Sequence, residues 1–84
     1  MLFKRKYRIL QNIYLDGRGE YIPQTSIFGI FWNGFNVYRG LGNEILYTSI
    51  QDNPTSAVKF RTYDEAEEVI KFSNVLATAV WPIN

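Results

Sequence analysis

Cysteine and histidine are both absent from the 84 residues. Without thiols no disulfide forms, and without either residue the usual zinc ligands are missing. The same absence removes the commonest proton-transfer side chain at neutral pH and the thiolate nucleophile. Long apolar runs are also lacking: no window approaches the roughly 18 apolar residues that span a bilayer. The basic start MLFKRKYRILQ does not continue into a signal-type apolar core, because Gln11, Asn12 and Asp16 interrupt it. Cysteine-free composition agrees with a reducing compartment. The expectation is one domain over residues 1–84, cytoplasmic in a cell or an infected host, with no membrane contact.

Charge of one sign is scarce as well. The net charge is +1, which is weak for a protein held to nucleic acid by phosphate neutralisation. Its distribution is uneven. Lys4, Arg5, Lys6 and Arg8 crowd the N-terminus, and Asp64, Glu65, Glu67 and Glu68 crowd a later segment. Apolar residues make up 46% of the chain and aromatics 17%, so with no covalent staple they must supply the stability, alone or with a partner subunit.

Residues 6–15 alternate, with Tyr7, Ile9, Ile13 and Leu15 on one face and Lys6, Arg8, Asn12 and Tyr14 on the other; this predicts a half-buried strand. The sequence DGRG, residues 16–19, then suits a hairpin turn, and EYIPQTSIF reads as the returning strand. Pro23 has no N–H for a ladder, which places this strand at an edge or breaks it there. IFWNGFNVY predicts a third strand, with Asn33-Gly34 as a hairpin turn or a bulge. After the loop RGLGNE, EILYTSIQ predicts another strand, and AVKF leads into a helix.

Helix signals are concentrated at the next step. Thr62 followed by Glu65 forms a capping-box pattern, and Asp64 adds negative charge at the positive end of the helix dipole. Ala66, Val69, Ile70, Ser73, Leu76 and Ala77 recur at helical spacing, and Glu67 and Lys71 make an i,i+4 pair in the favourable order. The acidic block is therefore helix-start chemistry and an outer face. Pro82 ends any helix by Trp81; we expect a helix to about residue 76 and an extended end packing Trp81 on the body. The predicted fold is α+β: an antiparallel meander of four or five strands in one sheet, with one C-terminal helix over about residues 63–76 packed on one face.

The order EYIPQ, then IFGIFW, then FRTYDEAEEVI resembles a loose set of small proteins found often in phage genomes. These have a twisted β-meander, a Tyr-Ile-Pro-Gln-like strand, an aromatic run with tryptophan, and a closing helix introduced by Phe-x-Thr-x-Glu-Glu-Ala. Asp64 stands where glutamate is commoner in that motif. The resemblance implies a phage accessory protein and brings no activity with it.

No catalytic constellation is legible. Asp16, Glu20, Glu44 and Asp52 are scattered over turns and strand starts, and the glycines of GFNVYRGLG lack a phosphate-binding context. The expectation is a protein that is not an enzyme, with no catalytic residues, cofactor or metal. What stands out is the stretch SIFGIFWNGFNVYRGLG, residues 26–42. One helix covers one face of a sheet, so some aromatics should remain outside the core. Phe31, Trp32, Phe35 and Tyr38, with Arg39 at the rim, are the candidate protein-binding face. The partner is expected to be a second copy, giving a homodimer or higher oligomer, or a host or phage protein. A second reading pairs the same rings with Lys4, Arg5, Lys6 and Arg8 as a surface for single-stranded nucleic acid. A small virion structural protein and a small-ligand sponge are further alternatives.

Overall fold

The computed structural model describes residues 5–74. The alternation at the start of the chain produces β1 (Lys6–Ile13), and the returning segment produces β2 (Gly19–Ser26), paired antiparallel from Lys6↔Ser26 to Ile13↔Gly19. The turn between them is local chemistry. Gly17 sits at φ 88°, a conformation that glycine adopts without a Cβ clash. The Asp16 carboxylate accepts from the Arg18 backbone N–H at 3.0 Å and from its Nε at 2.6 Å.

A second hairpin joins β3 (Gly34–Arg39) and β4 (Ile45–Gln51), in register from Gly34↔Gln51 to Tyr38↔Tyr47, with a bulge before Arg39↔Ile45. The four strands thus form two two-stranded sheets, which corrects the expected single sheet of four or five strands. Pro23 supplies part of the reason. Its neighbours at the outer edge of β2 do find partners: Tyr21 exchanges backbone hydrogen bonds with Phe60 at 2.8 and 2.9 Å, and Thr25 exchanges them with Asn33 at 2.8 and 2.9 Å. Between these two bridges the imide nitrogen of Pro23 has no hydrogen to donate, and no ladder runs through. The split therefore falls where the sequence carries the proline.

The third strand also begins later than expected. Residues 27–31 bend rather than extend, because Gly29 takes φ 75° and its N–H is held by Ser26 Oγ at 2.8 Å. Asn33-Gly34 is neither a hairpin turn nor a bulge. Asn33 bridges to Thr25, and Gly34 starts β3 against Ala57, where any Cβ would collide with the alanine methyl. The segment after β4 returns through Ala57 and Val58, whose N–H reaches Phe35 O at 2.9 Å, before Phe60 meets β2. It links the two sheets.

The helix α1 (Tyr63–Ser73) starts as the sequence predicts. Thr62, extended at φ −126°, accepts from the Glu65 N–H at 3.3 Å, and its hydroxyl donates to Glu65 Oε1 at 2.8 Å. Lys71 Nζ lies 3.0 Å from Glu67 Oε1, and this bond lifts the lysine above its ordinary pKa. The helix closes at Ser73 with Asn74 as its cap, short of residue 76. It lies across both sheets. Tyr7 Oη donates to Ser73 O at 3.3 Å from β1, and Thr48 and Ser73 share a hydroxyl hydrogen bond of 2.8 Å from β4. The expectations for residues 76–81, including Trp81, and for Lys4 lie outside the described residues.

The core is small. Ala66 and Val69 of α1 are fully buried, and Ile22, Pro23, Phe35 and Ala57 complete the buried apolar set among the described residues, with the Phe35 ring stacked on Tyr7 at a centroid distance of 6.5 Å.

Candidate functional site

The aromatic stretch does not form one patch; β3 and its flanks divide it into four environments. Phe31 is 82% exposed and its neighbour Ile30 72% exposed, both in the bent connector between β2 and β3. Trp32 is half-buried beneath Arg8, whose guanidinium carbon stands 4.2 Å from the indole centroid. Phe35 is only 3% exposed and belongs to the core; it is not part of any contact surface. Tyr38 is exposed and stacks on Tyr47 across the β3–β4 pair, with centroids 4.2 Å apart and planes 15° apart. Arg39 beside it donates from Nη1 to the Asn43 carbonyl at 2.8 Å, so part of its donor set is committed to the β3–β4 turn.

Among the described residues, the connector gathers the most exposed large apolar side chains in one short span. Ile27 and Phe28 are also exposed, so four large apolar side chains in five consecutive residues stand outside the core. The local chemistry that produces this is short-range. Ser26, itself buried, fixes the Gly29 amide, and Gly29 at positive φ turns the chain back so that Asn33 can bridge to Thr25. The loop is tied at both ends and carries its apolar side chains outward. Sequence reading placed Phe31 in the candidate face but passed over Ile30. The available signal was the glycine in IFGIF, which breaks a strand that would otherwise alternate its side chains between two faces.

The described members of the basic cluster are engaged with the protein. Lys6 lays its side-chain carbons and ammonium 3.2–3.7 Å from the position a Cβ would take on Gly29. Arg8 Nε donates to Gln24 Oε1 at 2.8 Å while its plane covers Trp32. One ring face of that tryptophan is thereby occupied. Arg5 is half-buried.

On the far side of the first hairpin, a groove of about 370 Å³ runs between its outer face and the turn after β4. Leu10, Ile22 and Trp32 line it, with Glu20, Asp52 and Lys59 among its charged groups. Glu20 accepts from the Tyr14 hydroxyl, which raises the phenol above its ordinary pKa. No three acidic side chains converge among the described residues, and none of their helices is long and apolar enough to cross a membrane.

Comparison of the chain with family models, with curated proteins and with solved structures finds no match.

Proposed function

We propose that the chain is a non-enzymatic protein-binding domain whose contact surface is centred on the exposed connector, with Ile30 and Phe31 as its anchors. One observation carries this reading: four large apolar side chains in residues 27–31 lie outside the core while the loop that bears them is tied at Ser26 and Asn33. Contiguous apolar surface of this kind is uncommon on a monomer and marks contact sites. A pre-shaped loop also loses less conformational entropy on binding than a free one. Tyr38 and Tyr47 offer a second, rigid aromatic area at the other hairpin. The resemblance in motif order to small phage proteins suggests an accessory role, with a host or phage protein as the partner.

The nucleic-acid reading has less support. Arg8 already covers Trp32 and binds Gln24, and Lys6 packs on Gly29, so both ring face and charge are partly used within the fold.

The test is affinity capture from a bacterial extract on the immobilised chain, comparing the parent with I30S/F31S and with K4E/R5E, which leaves Lys6 on Gly29. Arg8 is left in place because it braces Trp32. Removing two central anchors should weaken capture of a discrete protein by about 2 kcal/mol or more, while charge reversal leaves it largely intact. Equal capture by all three, or nuclease-sensitive material that is lost on charge reversal, contradicts the proposal.

A further inference from the structure

A hollow of about 630 Å³ opens between the β1–β2 turn and the segment leading into α1. Arg18, Lys59 and Arg61 line it, and Glu20 is its one carboxylate. The antiparallel Tyr21–Phe60 bridge brings Lys59 and Arg61 alongside β2. Both cations are exposed, and among the described residues neither has an ion pair or a side-chain hydrogen bond. The acids that stand near are engaged with other groups. Asp16 holds the Arg18 Nε at 2.6 Å, and Glu20 accepts from the Tyr14 hydroxyl. The hollow runs on into the groove of about 370 Å³, since the two share Tyr14, Glu20 and Lys59. Away from the cations that groove turns apolar at Leu10, Ile22 and Trp32. Asn12 lines the same end with a side-chain amide that has no hydrogen-bond partner among the described residues.

We propose that this continuous groove binds a nucleoside monophosphate, its phosphate at Lys59 and Arg61 and its base toward Asn12 and Trp32. An unpaired guanidinium beside an unpaired ammonium selects a compact anion, and the arginine fork matches phosphate oxygens. The other end asks for a neutral, flat group. Leu10, Ile22 and Trp32 supply apolar contact there, and the Asn12 amide offers a donor and an acceptor side by side, the pattern that reads an adenine edge. Asp52 also lines this end, so an acidic peptide extended along the groove meets repulsion where a base does not. Each part of the groove lies within the range of about 300–1,000 Å³ usual for small-molecule sites. The site is separate from the contact surface at Ile30 and Phe31, and neither reading rests on the other.

Titration calorimetry of the full chain with adenosine monophosphate, adenosine and inorganic phosphate tests the proposal. The monophosphate should bind about tenfold or more tightly than either fragment, and its affinity should fall as salt is raised. K59E/R61E should weaken it by about tenfold or more. K4E/R5E makes the same change of net charge ahead of β1 and should leave the affinity within about twofold. Asn12→Leu should weaken the monophosphate and leave inorganic phosphate unchanged. Circular dichroism confirms that each variant is folded, and K59Q/R61Q serves if K59E/R61E is not. A parent that binds no adenosine monophosphate overturns the proposal, including one that binds a single-stranded oligonucleotide instead. So does inorganic phosphate bound as tightly as the monophosphate, or monophosphate binding that survives loss of both cations.

Discussion

Arg8 lies over Trp32 with its guanidinium carbon 4.2 Å from the ring centroid while its Nε donates to Gln24 at 2.8 Å. A residue from β1, one from β2 and one from the connector are thereby held together at the sheet's outer side. The contact explains why an N-terminal arginine within a basic cluster is structural. Arg8→Glu should lower stability by about 0.5–1 kcal/mol through the lost cation–π contact, and Arg8→Lys by less. Urea unfolding checks this; an unchanged midpoint in Arg8→Glu means that the contact contributes nothing.

Gly34 faces Ala57 so closely that a side chain cannot enter. Gly34→Ala should cost about 1–3 kcal/mol through overpacking, and Ala57→Gly in the same chain should recover part of the loss. The pair forms a double-mutant cycle. Additive effects would show that the two positions do not touch.

At the helix start, Thr62→Ala removes the hydroxyl that accepts from Glu65 N–H and should cost about 0.5–2 kcal/mol. Ala66→Asp sets an unpaired carboxylate in a fully buried position and should abolish folding or shift the carboxyl to its neutral form. If Ala66→Asp melts like the parent, the helix does not present this face to the sheets.

The Tyr14 phenol is raised above 10.0 chiefly by its hydrogen bond to Glu20. The proton is therefore held more tightly in the folded chain. The contribution of this bond is complete below the ordinary phenol pKa and is lost as pH rises through the raised folded value. Glu20→Gln should bring the Tyr14 phenol back toward its ordinary range, read from phenolate absorbance. No change on substitution would remove Glu20 as the cause.

Elements governed by local periodicity were legible in the sequence. Strands β1 and β2, their DGRG turn, the Thr62 cap and the Glu67–Lys71 pair all depend on residues within a few positions, and each is present. What escaped depends on distant contacts. Phe31 and Phe35 are the same residue type four positions apart, yet one is exposed and the other is core, because Phe35 meets Tyr7 on β1. The bends at residues 27–31 overrode a strongly strand-forming composition, since Gly29 and the Asn33–Thr25 bridge decide the path. Pro23 was read as placing its strand at an edge or breaking it; β2 runs unbroken through the proline, and it is the outer edge that carries no continuous ladder. What it breaks, a would-be ladder between two hairpins, was visible only once Tyr21 and Thr25 had found Phe60 and Asn33. Likewise Arg8 was assigned to a basic surface because its partner Trp32 comes from another element.

The central claim is that Ile30 and Phe31 serve contact rather than folding, and denaturant unfolding of I30S/F31S tests it most directly. The expected result is a change within about 0.5 kcal/mol, as for surface substitutions away from packed features. A loss of about 2–5 kcal/mol, the range for truncating core side chains, would place both residues in the core and contradict the claim.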